Sequence, residues 1–152
     1  MKRYIFLLVM MLCSCSTLQP AYDANTAHRL VFNQVIFDLK TCFKEGPEAV
    51  CKFELYPMEF DRVVKIRNPV RITDVNKQSF PGYHLQLGQS IREMESGEAR
   101  IDKLIIADQK TPLTVKFRHV DPELTEIKLL QLGVEIKRHY ATLRFENIPI
   151  SD

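Results

Sequence analysis

Proline recurs along this chain at a nearly constant interval, and that rhythm restricts the fold more than any other feature. Pro47, Pro57, Pro69 and Pro81 stand ten to twelve residues apart, and Pro112 and Pro122 repeat the spacing. Turn signals at that interval favour an all-β sandwich or barrel. The segments between them are β-branched or aromatic and often alternate. Val31, Val35, Phe37 and Leu39 share one parity of the first candidate strand, while Cys51, Phe53 and Leu55 share one parity of the second. Further candidates cover residues 62–67, 70–74, 83–87, 103–107, 113–120, 126–136 and 141–148, about nine strands in all.

One segment carries the opposite signal. Asp121-Pro122-Glu123-Leu124 offers an N-cap, a proline at the first helical position and an acid in the first turn, and Leu124, Ile127, Leu130 and Val134 follow at helical spacing. Gly133 interrupts it, and Leu129, Leu130 and Leu132 fit no single helical face, so one helical turn followed by a strand is expected. Residues 89–98 offer a second short helix that Ser96-Gly97 would end. The expectation is an all-β, immunoglobulin-like β-sandwich of about seven to nine strands, with at most one or two short helices.

The first fifteen residues carry an address. Met1-Lys2-Arg3 is a positive n-region, and the apolar run from Tyr4 to Met11 is too short to span a bilayer as a mature helix. Leu12-Cys13-Ser14-Cys15 then reads as a lipoprotein processing site, with Cys15 acylated and becoming the first mature residue. An ordinary cleaved signal or an uncleaved anchor is the alternative. Residues 1–14 are thus read as a signal peptide, 15–29 as a lipidated tether without periodicity, and 30–150 as one β-sandwich domain.

The leader carries two of the 21 basic residues, which leaves 19 against 19 acidic residues. That balance removes the case for nucleic acid, whose binding needs a clustered basic face. Basic stretches at 65–71 and at Lys137-Arg138-His139 read as solvated strand faces, with a membrane-surface role as the minor alternative. Once Cys13 is removed and Cys15 acylated, Cys42 and Cys51 remain, and an even remainder in an oxidising compartment reads as a disulfide. Gly46-Pro47 between them is a turn signal, so the pair would staple a hairpin, contributing about 2.7 kcal/mol in the chain-entropy treatment. A redox role lacks support, since there is no Cys-x-x-Cys spacing.

No reaction is legible. His28, His84, His119 and His139 are scattered without metal-ligand spacing, and a zinc site on His119 and His139 would need their strands to pair. There is no Gly-x-Ser-x-Gly, no His-Glu-x-x-His and no phosphate-cradling glycine loop. The absence of tryptophan weakens a sugar-binding reading, for which Tyr56, Tyr83 and Tyr140 would substitute only in part. No catalytic residue, metal or cofactor is assigned.

The motifs at Cys42 to Cys51, Pro69-Val70-Arg71-Ile72-Thr73-Asp74, Tyr83-His84-Leu85-Gln86-Leu87-Gly88, Pro112-Leu113-Thr114-Val115-Lys116-Phe117 and Leu143-Arg144-Phe145-Glu146-Asn147-Ile148-Pro149 occur in an order that resembles a broad group of uncharacterised bacterial lipoprotein domains. The resemblance covers most of residues 30–150, with a longer connection at 76–82. It implies a single immunoglobulin-like sandwich with a stapled first hairpin, and it brings no catalytic residues. Arg144 and Asn147 would be framework hydrogen bonders. The expected function is that of a non-enzymatic outer-membrane lipoprotein that binds or positions a protein partner in the cell envelope, by strand addition or loop contact. Ser16 after Cys15 favours the outer membrane. The alternatives are a lipoprotein subunit of a secretion-system membrane complex, similar to the small sandwich subunit of type VI systems, and an envelope hydrolase or small-ligand carrier with a concave pocket.

Overall fold

Alternation of buried and exposed side chains runs through nearly every strand of the computed structural model, which describes residues 21–22, 28–94 and 98–151. The acylation site read at Cys15 lies outside the described residues. Eleven strands are present among them and no helix: β1 (Ala21–Tyr22), β2 (Arg29–Phe32), β3 (Val35–Glu45), β4 (Glu48–Pro57), β5 (Arg62–Thr73), β6 (Ser79–Leu87), β7 (Ser90–Glu93), β8 (Arg100–Ile105), β9 (Thr111–Arg118), β10 (Glu126–Ile136) and β11 (His139–Ser151). β1, inside the span read as a tether, pairs antiparallel with β2. Residues 121–125 form a turn, in which Asp121 accepts hydrogen bonds from the backbone N–H of Glu123 at 2.8 Å and of Leu124 at 3.0 Å, and β10 follows.

The strands do not form an immunoglobulin-like sandwich. They close into a barrel of seven, in the order β3-β11-β10-β5-β6-β9-β4 and back to β3. Two short seams overturn the sandwich. At one, β5 pairs with β6 through Arg71–Pro81, Ile72–Phe80 and Thr73–Ser79. At the other, β11 pairs in parallel with β3 through Ile150–Cys42 and Ser151–Phe43. Alternation specifies one buried face per strand, which a sandwich and a barrel both satisfy. What decides between them is which strand ends meet, and no periodicity carries that.

Proline also plays a different part from the one its spacing implies. Pro47 and Pro122 are in turns, but Pro57, Pro69, Pro81, Pro112 and Pro149 lie within strands. A strand proline must occupy a place where its missing N–H is not needed. For Pro69 the reason is visible: Val70 pairs with Leu132 and Arg67 with Gly133, so residues 68–69 bulge out of the β5–β10 ladder. One continuous β5 therefore replaces the two strands expected at 62–67 and 70–74.

Gly133 is required beneath that bulge. A Cβ there would stand 2.4 Å from Asn68 O and 2.6 Å from Arg67 O, both backbone atoms that cannot rotate away. Gly133→Ala is expected to lower the unfolding free energy by about 3 kcal/mol, the upper end for overpacking, as measured by urea denaturation. Gly82→Ala should cost less, because the added methyl meets the side-chain ends of Val70 at 2.8 Å and Met94 at 3.2 Å.

The interior is filled. Phe37, Phe53, Phe117 and Phe145 are fully buried together with Leu55, Ile66, Leu85, Leu113 and Ile127. Phe53 and Phe145 meet edge to face, with ring centroids 5.4 Å apart and planes at 67°. Cys42 and Cys51 lie directly opposite each other on β3 and β4, and they are joined by a disulfide across Cα atoms 4.2 Å apart. The two-residue turn Gly46–Pro47 closes that hairpin, with Gly46 at φ +61°, a conformation that glycine adopts without steric cost.

Candidate interaction surface

The centre of the barrel is packed with phenylalanine and leucine. A surface groove of about 240 Å³ opens where β2 and β11 separate along the same edge of β3, and His28, Lys40, Thr41, Pro149 and Ser151 line it. Lys40 bulges out of the β3–β4 ladder there and turns toward Asp38 at 2.6 Å and Glu54 at 3.4 Å. Its ammonium group is thus committed to carboxylates of the wall.

Asp38 is buried at 6% exposure and also accepts from Arg29 Nη2 at 3.0 Å. Burial pushes its carboxyl upward, but the hydrogen bonds and charges of Lys40 and Arg29 outweigh that and hold it below the ordinary aspartate value. A carboxyl held low in the folded state stabilises fully above its unfolded-state value, and that contribution fades as pH falls through the folded one. Stability should therefore decline in acid more steeply in the natural protein than in Asp38→Asn. At neutral pH that variant should be about 1–2 kcal/mol less stable, a figure reduced for the partial exposure of Arg29 and Lys40. Urea melts of both proteins across the acid range check the prediction.

The histidines are not brought together. His28 Nε2 is 3.2 Å from Glu146 O, and His84 Nδ1 is 2.5 Å from Glu93 Oε1. His119 follows β9 at one end of the barrel, whereas His139 opens β11 at the other, so no site joins them. Among the described residues no group of three or more His, Cys, Asp or Glu is placed to hold a metal ion. A second polar cluster is on the β4–β9–β6 wall, where Tyr83 donates to Glu48 at 2.6 Å beneath the Arg118 guanidinium, 3.6 Å from the ring centroid. Burial raises the Tyr83 pKa, and the bond to Glu48 raises it further. A tyrosine held protonated and sandwiched between an acid and a guanidinium is a structural clamp. Arg144 pairs with Glu146 at 3.9 Å and Asn147 Oδ1 accepts from Lys128 at 3.2 Å, both in the wall.

Sequence reasoning missed the exposed apolar surface. β7 hydrogen-bonds to β6 along the edge opposite β9, and β8 hydrogen-bonds to β5 at residues 62–67, on the edge that β6 takes further along at 71–73. β7 and β8 thus flank the place where β5 and β6 diverge, and among the described residues each pairs with one strand only. Ile91 on β7 is 60% exposed and Leu104 on β8 is 51% exposed, with the exposed Val63 directly opposite Leu104. Arg100 and Asp102, also exposed on β8, put charges of both signs on that edge strand and oppose indiscriminate pairing.

Comparison with known proteins finds no matching family model, no matching curated sequence and no matching solved structure.

Proposed function

We propose that the chain is a non-enzymatic envelope protein, held at the outer membrane by an acyl group on Cys15, whose barrel binds a protein partner on its outer wall. The observation that carries the reading is the pair of short strands β7 and β8, each bonded to the barrel along one edge and each exposing a large apolar side chain. Backbone edges supply affinity for an added strand, and Ile91, Leu104 and Val63 supply apolar contacts beside it. The filled interior counts against a small-ligand carrier, which needs a concave pocket. The closed barrel removes the shared fold class from the likeness to a secretion-system subunit, which also rested on size and the lipoprotein processing site.

A photocrosslinking residue in place of Leu104, illuminated in intact envelopes, should give one discrete protein adduct. The same residue in place of Arg144, exposed on β11, should not. Ile91→Lys, with the crosslinker kept at 104, should lower adduct yield about tenfold, the loss of one good apolar contact, without lowering the melting temperature. Absence of an adduct with the crosslinker at 104, and again with it at 91, in folded, membrane-bound protein would overturn the proposal.

A further inference from the structure

The turns at one end of the barrel are tied into a single surface. Asn33 Nδ2 donates to Ile136 O at 2.9 Å, joining the β2–β3 turn to the β10–β11 hairpin. Gln34 O accepts from Met58 N at 2.8 Å, and Gln34 Oε1 accepts from Arg62 Nη2, joining the same turn to the β4–β5 connection. Asp61 Oδ1 accepts from Ala107 N at 2.8 Å, which brings in the segment after β8. Three large apolar side chains are exposed here: Phe60 at 63%, Met58 at 55% and Ile106 at 38%. Beside them is the exposed basic hairpin tip Lys137–Arg138, both residues at positive φ. Glu59 and Asp108 are exposed acids of the same end, and Asp61 is engaged by the Ala107 N–H.

This is also the end nearest the start of β1. Ala21 pairs with Val31 and Tyr22 with Leu30, so Ala21 is the residue of β1 closer to the β2–β3 turn. Five residues separate it from Cys15. Even fully extended, that connection reaches at most about 22 Å. Through Val31, Ala21 is level with Ile36, and the rest of β3 to Glu45 spans about 30 Å, so the opposite end of the barrel lies beyond the full reach of that connection.

We infer that this end docks on the membrane surface, with Met58, Phe60 and Ile106 entering the lipid interface and Lys137–Arg138 facing anionic headgroups. The inference rests on acylation of Cys15. Three apolar residues are too few to bind stably alone, but an acyl anchor on the short connection before Ala21 supplies the second attachment that stable membrane binding requires. The basic pair Lys137–Arg138 adds attraction to an anionic surface, which the exposed acids Glu59 and Asp108 offset in part.

The chain contains no tryptophan, so Phe60→Trp creates a single reporter. In the acylated full-length protein, reconstituted into phosphatidylethanolamine–phosphatidylglycerol vesicles, its emission should be blue-shifted and quenched at least twofold by brominated acyl chains. Ile106→Trp should behave alike and guards against a local disturbance at 60. Val75→Trp, replacing an exposed residue in the turn at the opposite end, should emit as in water and remain unquenched. Water-like, unquenched emission at both 60 and 106 would overturn the inference. So would quenching as strong at 75, or blue-shifted emission that brominated lipid does not quench, which would mean a protein or a second copy covers the tip. A mature N-terminus without diacylglycerol on Cys15 would overturn the anchor and this docking together, whereas an acylated N-terminus with unquenched probes would overturn the docking alone.

Discussion

Phe145→Ala should lower the stability of the barrel by about 3–5 kcal/mol, the range for removing a buried aromatic ring whose surroundings relax only in part. Phe145 is on β11 and is 2% exposed, with its ring edge to face against Phe53 of β4. These strands are not neighbours in the circuit, because β3 lies between them, so the ring contact packs across the interior. Phe53→Ala should cost a similar amount, and the double variant should fall short of additivity by about 0.5–1.5 kcal/mol, the value of the edge-to-face pair. Urea denaturation of the four proteins gives the cycle. A loss below about 1 kcal/mol for either single variant would contradict a close-packed interior.

Cys15→Ser should move the protein completely from the membrane fraction to the soluble one. Acyl chains account for stable attachment, and a few apolar residues bind only marginally and reversibly without them. Fractionation of cells expressing each form measures the shift, and the mass of the mature N-terminus identifies the modification. A variant that stays in the membrane with the same mature mass as the natural protein would remove acylation from the account.

The β3–β4 hairpin was legible because its information is local. Gly46-Pro47 marks the turn, Cys42 and Cys51 flank it symmetrically, and the parity of Phe37, Leu39, Phe53 and Leu55 matches the faces they bury. Closure into a barrel was not legible, since it depends on Ile72 meeting Phe80 and Ile150 meeting Cys42, pairings that leave the alternation of each strand unchanged. The strand prolines misled for a related reason. Pro69 is harmless only because residues 68–69 bulge out of the ladder over Gly133, a fact about two strands rather than one. The exposed surface was missed because Phe60, Ile91 and Leu104 are chemically indistinguishable from core residues until burial is known. The hairpin tip at Lys137–Arg138 was singled out from the sequence, but its companions on the same end were not.

The parallel seam between β3 and β11 has a consequence for how the molecule is made. Its Ser151 Oγ to Cys42 O contact, 3.5 Å long, joins residues 109 apart in sequence. Closing so large a loop brings little reward until the strands between have paired, so the seam is expected to form late, and it raises the contact order. Until β11 has paired, the outer edge of β3 near Cys42 and the apolar lining that Phe145 will cover are both open to solvent and to other chains. Slow folding, in milliseconds to seconds, and dependence on a chaperone that shields nascent strands are the expected biography of this barrel.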